Sequence, residues 1–283
     1  MTNTPTVRRQ KIRKNYTKNK LVFLLILTAF FMFVVIFAER ICPYDPNAQI
    51  FSSLESPSLS HIAGCDRMGR DLFSRILIGL KTSVLSTLVL VGIITVFGTV
   101  VGVLCGHFGG VIDSVIMRVS DICLAFPGLV FALAIASLLG SGLNNAVLAL
   151  AVVSWPKYAR VARGQTLSLE SADFISAARL SGDSDLQLII CHILPNIGGT
   201  ILVTAVLDIG TMMMELAGLS FLGLGATPPT AELGSMMSGG RSMLLTHPWV
   251  IVSPGIAIFV SVSIFNLLGD AVRDYLEPRG NRS

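Results

Sequence analysis

Residues 21–38 read LVFLLILTAFFMFVVIFA, eighteen positions without a charge, of which Thr28, Ala29 and Ala38 are the least apolar. A helix of that length extends about 27 Å, close to the hydrocarbon thickness of a bilayer. Further runs of the same kind follow. A second span is expected at about 82–106. A charge-free tract from Ile122 to Pro156 is interrupted by the turn-forming cluster Gly140-Ser141-Gly142-Leu143-Asn144-Asn145, which gives spans near 119–139 and 144–158. The fifth is expected at about 197–216 and the sixth at about 249–269. Charged residues make up 13% of the chain against about 25% in soluble proteins, which excludes a soluble domain. The expected fold is all-α and polytopic, with about six transmembrane helices.

The charges that remain are placed unevenly. Arg8, Arg9, Lys11, Arg13, Lys14, Lys18 and Lys20 precede the first span with no acid among them. A nucleic-acid-binding arm has this composition, but directly before a span it reads as a cytoplasmic anchor. A cleaved leader is the competing reading. The apolar run is longer than a leader's usual core and no small-x-small site follows it, so the first helix is expected to be retained. With the N-terminus inside, six spans place fifteen Lys and Arg on the inner side and six on the outer. That bias puts both termini and the stretch 157–196 in the cytoplasm.

Asp66 to Leu80 (DRMGRDLFSRILIGL) then lies outside. Leu72, Phe73, Ile76, Leu77 and Leu80 recur at helical spacing, which predicts an amphipathic helix along the membrane surface. The five cysteines, at 42, 65, 105, 123 and 191, form no Cys-x-x-Cys pair and no zinc-like spacing. Cys42 and Cys65 share the expected outer loop, and that shared side alone leaves their pairing open.

The inner stretch 157–196 carries its own helical pattern. Phe174, Ala177, Ala178 and Ser181 fall on one face of a short helix, and Gly182 breaks it. Ser184 with Gln187 three residues on forms a capping box for a second helix, whose apolar side is Leu186, Ile189, Ile190 and Ile193. Leu194-Pro195-Asn196 is expected to end the unit. Two short helices joined at a glycine suit docking into another protein's groove. Spacing alone equally allows a hairpin folded back on its own bundle.

Absences narrow the function. The sequence has no Gly-x-x-x-x-Gly-Lys-[Ser/Thr] loop, no His-Glu-x-x-His and no Gly-x-Ser-x-Gly. ATP hydrolysis and protease chemistry therefore have no visible machinery, and the four histidines are dispersed. Asp208 and Glu215 lie seven residues apart within the fifth span and share a helix face. An acid near mid-membrane costs on the order of 3 kcal/mol unless it meets a cavity or a partner. Two readings stand side by side: acids lining a path that favours cationic cargo, or a structural pair with a neighbouring helix. Met212, Met213 and Met214 are consecutive, share no face and read as packing.

Residues 170–196, ESADFISAARLSGDSDLQLIICHILPN, resemble the coupling loop of ATP-binding-cassette importer permeases, and the chain is similar to their dipeptide, oligopeptide and nickel group. The matching pieces run in order over most of the chain. They include Pro43-Tyr44-Asp45-Pro46, Gly69-Arg70-Asp71 with Ser74-Arg75, Gly109-Gly110 with Asp113, and Ala125-Phe126-Pro127. Trp155-Pro156, Ala217-Gly218-Leu219-Ser220-Phe221 and Asn266-Leu267-Leu268-Gly269-Asp270 continue the set. The resemblance implies a type I ABC importer permease fold in a bacterial cytoplasmic membrane. It implies a transport subunit that is not an enzyme and needs no cofactor. Its partners would be a second homologous permease, two cytoplasmic ATPase subunits and an extracytoplasmic substrate-binding protein.

In that family the loop seats in a cleft of the ATPase, which assigns coupling to Ser176, Ala177, Ala178, Gly182, Leu194 and Pro195. Ser176 stands where the family usually has glutamate, so the ion pairs of that glutamate are absent or replaced. The stretches 179–182, 207–210 with 212–213, and 229–232 look closer to the nickel branch, which points to a transition metal as cargo with short peptides as the alternative. A secondary transporter is the different-class reading, but it predicts an internal repeat with broken helices, and none is visible. The implied organisation is 1–80 (basic N-terminus, first span and outer loop), 81–276 (permease core with coupling loop) and 277–283 (tail). Pro127 and Pro254 are expected kinks within spans.

Overall fold

The computed structural model describes residues 5–276, with side chains from residue 17. The tail 277–283, with Arg279 and Arg282, and the side chains of Arg8, Arg9, Lys11, Arg13 and Lys14 lie outside the described residues, so part of the charge-bias argument does too. Eleven α-helices follow one another among the described residues: α1 Pro5–Ile36, α2 Ala38–Ile41, α3 Leu72–Phe108, α4 Gly110–Ala125, α5 Gly128–Leu139, α6 Leu143–Glu170, α7 Asp173–Leu180, α8 Asp185–Gln187, α9 Leu194–Phe221, α10 Leu233–Gly240 and α11 Trp249–Leu276. No strand occurs among the described residues. An isolated bridge joins Cys65 to Asp71.

Among the described residues four stretches are long and apolar enough to cross a bilayer: Thr17–Ile36, Leu72–Phe108, Asp185–Phe221 and Trp249–Leu276. The pair α4 and α5 makes a fifth if it is counted as one span. α6 is also long, at 28 residues, but beyond Pro156 it carries Lys157, Arg160 and Arg163.

Three elements differ from the sequence reading. The expected surface helix is instead the start of α3, which runs unbroken for 37 residues, about 56 Å at 1.5 Å per residue. Its apolar stripe is the reason. Leu72, Ile76, Leu77 and Leu80 are buried, and Leu72, Ile76 and Leu80 pack with Phe31, Val35 and Met213 rather than being left for headgroups. The third expected span, 119–139, is not one helix. Pro127 has no N–H and disfavours helical backbone at the residue before it, so Phe126 is extended and the axes of α4 and α5 meet at 98°. Pro254, in contrast, sits inside an uninterrupted α11. Finally, the coupling unit does not end at Leu194-Pro195-Asn196. A π-helical turn, Leu188–Ile193, carries the chain directly into α9, with Pro195 in its first turn, where a missing N–H costs nothing.

Two seams hold the bundle. Gly98, Gly102 and Gly106 repeat every fourth residue along α3 and face Trp155, Tyr158, Ala159, Ala162 and Thr166 of α6. A methyl group at Gly102 would lie 2.2 Å from the Ala159 carbonyl oxygen, so the two backbones touch. Leu90, Ile94, Leu150, Leu216 and Leu219 fill the adjoining core. On the other side α1 packs on α11 through an edge-to-face contact of Phe31 with Phe265, 5.9 Å between centroids.

α3 gives the molecule two poles. At one, the far pole, Asp71 caps α3 by accepting from Ser74 N at 2.8 Å. Glu232, fully buried, caps α10 through Gly234 N (3.0 Å) and Ser235 N (2.8 Å) and accepts from Ser83 Oγ of α3 at 2.9 Å. At the other, the hairpin pole, α3 ends beside the segment joining α6 to α9.

Candidate coupling hairpin and membrane-embedded charge pair

α7 closes with a paired C-terminal motif. Asp183 N donates to Ala178 O at 3.2 Å and Gly182 N to Arg179 O at 3.2 Å, with Gly182 at φ 96°. A side chain there would strain the backbone by about 1–2 kcal/mol. Ser184 then opens α8 with a complete capping box. Gln187 N donates to Ser184 Oγ at 3.4 Å and Ser184 N to Gln187 Oε1 at 2.8 Å. The turn's capping bonds are therefore all made among its own residues.

Its inner face is fixed by apolar contacts: Ile175, Leu188 and Ile193 are buried, and Ile175 and Ile193 pack with Val103 of α3 and Ala162 of α6. A polar hub adds direction. Arg179 Nη2 donates to Glu170 Oε2 at 2.9 Å. Glu170 Oε1 lies 2.5 Å from His107 Nδ1, and His107 Nε2 lies 3.3 Å from Asp185 Oδ1. Both ring nitrogens face carboxylates, and the ring donates to both only when doubly protonated. Four elements thus meet at one buried imidazole: the ends of α3 and α6, α7, and the start of α8. Nearby, Arg163 grips Asp113 of α4 with two bonds of 2.6 and 2.7 Å, and Arg160 pairs with Asp121.

The outer face is apolar and uncovered. Phe174, Leu180, Leu186 and Ile190 are exposed, Leu180 at 90%. Ser176, Ala177 and Gly182 are exposed beside them, Ala178 is half-buried, and Leu194 (half-buried) and Pro195 (exposed) stand on the first turn of α9. Removing the hub's central carboxylate is expected to loosen the hairpin alone. In Glu170→Gln, amide exchange across 173–187 should accelerate about tenfold, as befits loss of charge-assisted bonds, while the interior of α3 stays protected. Equal exchange in both proteins would show that the hub bears no load.

The expected path acids fall elsewhere. Asp208, mid-way along α9, is buried and its Oδ1 lies 2.5 Å from Lys157 Nζ of α6. Its Oδ2 has no hydrogen bond. Glu215 is half-buried two turns further on. Asp208 therefore has a counter-ion on a neighbouring helix and is not a bare anion. Lys157, half exposed in mid-helix, is the charge that meets whatever lies outside the chain.

At the far pole Asp66 accepts from Arg70 at 2.7 Å, and Arg75 donates to Pro46 O at 3.0 Å and Asn47 Oδ1 at 3.2 Å. A cavity of about 300 Å³ opens beside these arginines, against Thr227, Pro228, Ser235 and Met236. Cys42 and Cys65 are free thiols, with Cys42 Sγ donating to Ser74 O at 3.5 Å. Burial, with Glu55, Asp71 and Asp66 adding to it, pushes the Cys65 thiol up to about 11.

The profile described as binding-protein-dependent transport system inner membrane component matches residues 98–282, which contain the hairpin, the hub and the charge pair. The chain belongs to that family. Members of known description resemble it over nearly their full length. The probable D,D-dipeptide transport system permease protein DdpC of Escherichia coli is 40% identical, covering 98% of this chain and 96% of that protein. The glutathione transport system permease protein GsiD of Shigella sonnei is 43% identical, with 87% and 82% covered. The nickel transport system permease protein NikC of Escherichia coli is 39% identical, with 90% and 92% covered. The dipeptide, oligopeptide and nickel group indicated by the sequence motifs is thereby supported, and nickel is not singled out within it. In fold, the chain aligns with a chain of the inward-facing MetNI methionine ABC transporter at TM-score 0.58 and 20% identity, over 72% of this chain and 97% of that one.

Sequence reasoning did not pair His107 with Glu170 or Lys157 with Asp208. Their partners stand 63 and 51 residues away, so no local pattern announces them. The glycine repeat of α3 was readable as small-xxx-small, although it stands among 26 glycines.

Proposed function

We propose that this permease forms half of the translocation path of an ATP-driven importer and is moved by a separate ATPase seated on the hairpin Asp173–Ile193. The observation that carries this reading is the hairpin itself: it is capped by its own residues, is tied to α3 and α6 by packing and ion pairs, and turns an uncovered apolar face outward. Force applied to that face passes through His107 and Glu170 into the two helices of the closest-packed seam. Ser176, Ala177, Ala178 and Gly182 would meet the ATPase, with Leu194 and Pro195 passing the movement to α9. The hairpin pole and both termini would lie in the bacterial cytoplasm. A second permease would complete the path, a second ATPase would serve it, and a binding protein would deliver cargo at the far pole.

A bare Asp208 argued for a cation. Paired with Lys157 and buried, Asp208 no longer argues for a cation, and with a dipeptide permease among its relatives we take a short peptide as the cargo class. A transition metal, free or chelated, is the second reading, favoured by the nickel-like stretches 179–182, 207–210, 212–213 and 229–232. The test is uptake of labelled dipeptide and of nickel in cells lacking the gene, restored with wild type or Gly182→Arg at equal membrane levels. Dipeptide uptake restored by wild type, and at least tenfold less by the variant, is the expected result, since arginine both strains the turn and stands on the docking face. Nickel uptake restored in its place moves the cargo to the second reading. Full restoration by Gly182→Arg removes the coupling assignment and reopens a carrier driven by an ion gradient.

A further inference from the structure

The loop leading into α3 brings Glu55, His61 and Cys65 together, with one donor atom from each within 4.8 Å of the other two. Backbone bonds hold them there. Cys65 N donates to Glu55 O at 2.9 Å, Gly64 N to His61 O at 2.8 Å, and Ser58 N to His61 O at 2.9 Å. The His61 ring is wedged against Phe51 at 4.1 Å and Tyr44 at 5.6 Å between centroids, so it has little freedom to turn away. His61 is 4% exposed, and its Nδ1 makes no hydrogen bond, although Asp71 Oδ1 stands 3.5 Å off. A buried ring nitrogen without a hydrogen bond costs about 1–3 kcal/mol and calls for an explanation.

We propose that Glu55, His61 and Cys65 form a binding site for a borderline first-row dication, Zn²⁺ or Ni²⁺, with a fourth position open. Sulfur, imidazole and carboxylate together select such ions over Mg²⁺ or Ca²⁺, which take oxygen alone. Bond lengths of about 2.0–2.3 Å at a tetrahedral ion put donors about 3.6 Å apart, so side chains close by about 1 Å on binding. Glu55, the most exposed of the three, is placed to make that movement. The proposal is independent of the cargo: its residues are in a loop outside the long apolar helices, and its test measures no transport.

The test uses the untagged full-length chain in lipid nanodiscs, titrated with Zn²⁺ against a chromophoric chelator and separately with Co²⁺. One equivalent is expected to bind, with a thiolate-to-cobalt charge-transfer band. Cys65→Ser should abolish the band and weaken Zn²⁺ about a hundredfold, and Glu55→Gln should keep the band and weaken Zn²⁺ about tenfold. Thermal melting without metal checks that each variant is folded, and Glu55→Gln keeps the test open if Cys65→Ser is not. No band in the wild type, or wild-type affinity in Glu55→Gln, overturns the site. A band that survives Cys65→Ser also overturns it, because the thiolate then belongs to another cysteine, such as the exposed Cys191.

Discussion

Gly102→Val is expected to remove this protein from the membrane, with folded abundance falling at least tenfold. A Cβ at Gly102 would sit 2.2 Å from the Ala159 carbonyl oxygen and 2.8 Å from the Ala162 Cβ. The obstacle is backbone, so no rotamer change relieves it. The helices must separate, and the contacts of Gly98 and Gly106 on either side are lost with them. Overpacking a core costs about 1–3 kcal/mol where side chains can yield, and this site offers little to yield. A deficit of even 1–2 kcal/mol changes cellular abundance several-fold. Gly102→Ala should be intermediate. Gly92→Val, on the same helix with nothing within 4 Å of its added carbon, should accumulate normally and serves as the control. Quantitative immunoblotting of membranes, with detergent-extracted monodisperse protein as the measure of folding, decides the matter. Wild-type abundance of Gly102→Val would mean that α3 and α6 are not packed as described.

That seam shows where sequence is and is not transparent. Apolar length is a local property, so the long helices were legible residue by residue. The hairpin's caps were legible for the same reason: Gly182 and the Ser184–Gln187 box act within a few positions of themselves. Helix boundaries inside apolar or amphipathic sequence were not. Nothing between Leu80 and Thr82 breaks a helix, and whether Leu72, Ile76 and Leu80 face headgroups or protein depends on helices far away in the chain. Pro195 reads as a stop because the interior of an α-helix excludes proline. The π-turn before it supplies a Leu194 N to Ile189 O bond and moves proline to a helix start. The hub and the charge pair lay beyond reach for a simpler reason. An ion pair is specified by two residues, and a single sequence says which residues are charged but not which ones meet.

The pair Lys157–Asp208 yields the second large effect, and its outcome separates a structural role from a role in transport. Asp208→Asn leaves the Lys157 ammonium without its counter-ion in the middle of the bundle, and Lys157→Met leaves the buried Asp208 carboxylate alone. Breaking a buried pair costs on the order of 3–5 kcal/mol, and since Lys157 is half exposed the loss for Asp208→Asn falls toward the lower end. Asp208, buried, has no such relief, so Lys157→Met should be the more damaging change. Both single variants are expected to lower folded abundance severalfold or more. The double variant Lys157→Met, Asp208→Leu removes both charges and their desolvation together, and replacing a pair by apolar groups of similar size is often neutral or better. Its abundance should return to near wild type. Uptake per folded molecule then carries the information. An ammonium in mid-helix avoids lipid, so the half-exposed Lys157 faces the path, the second permease or the inner aqueous side. If it faces the path, the double variant will be folded but transport at least tenfold more slowly. If uptake per molecule is unchanged, the pair serves only to join α6 to α9, and charge selection must be sought at Glu215 or in the arginine-lined cavity at the far pole.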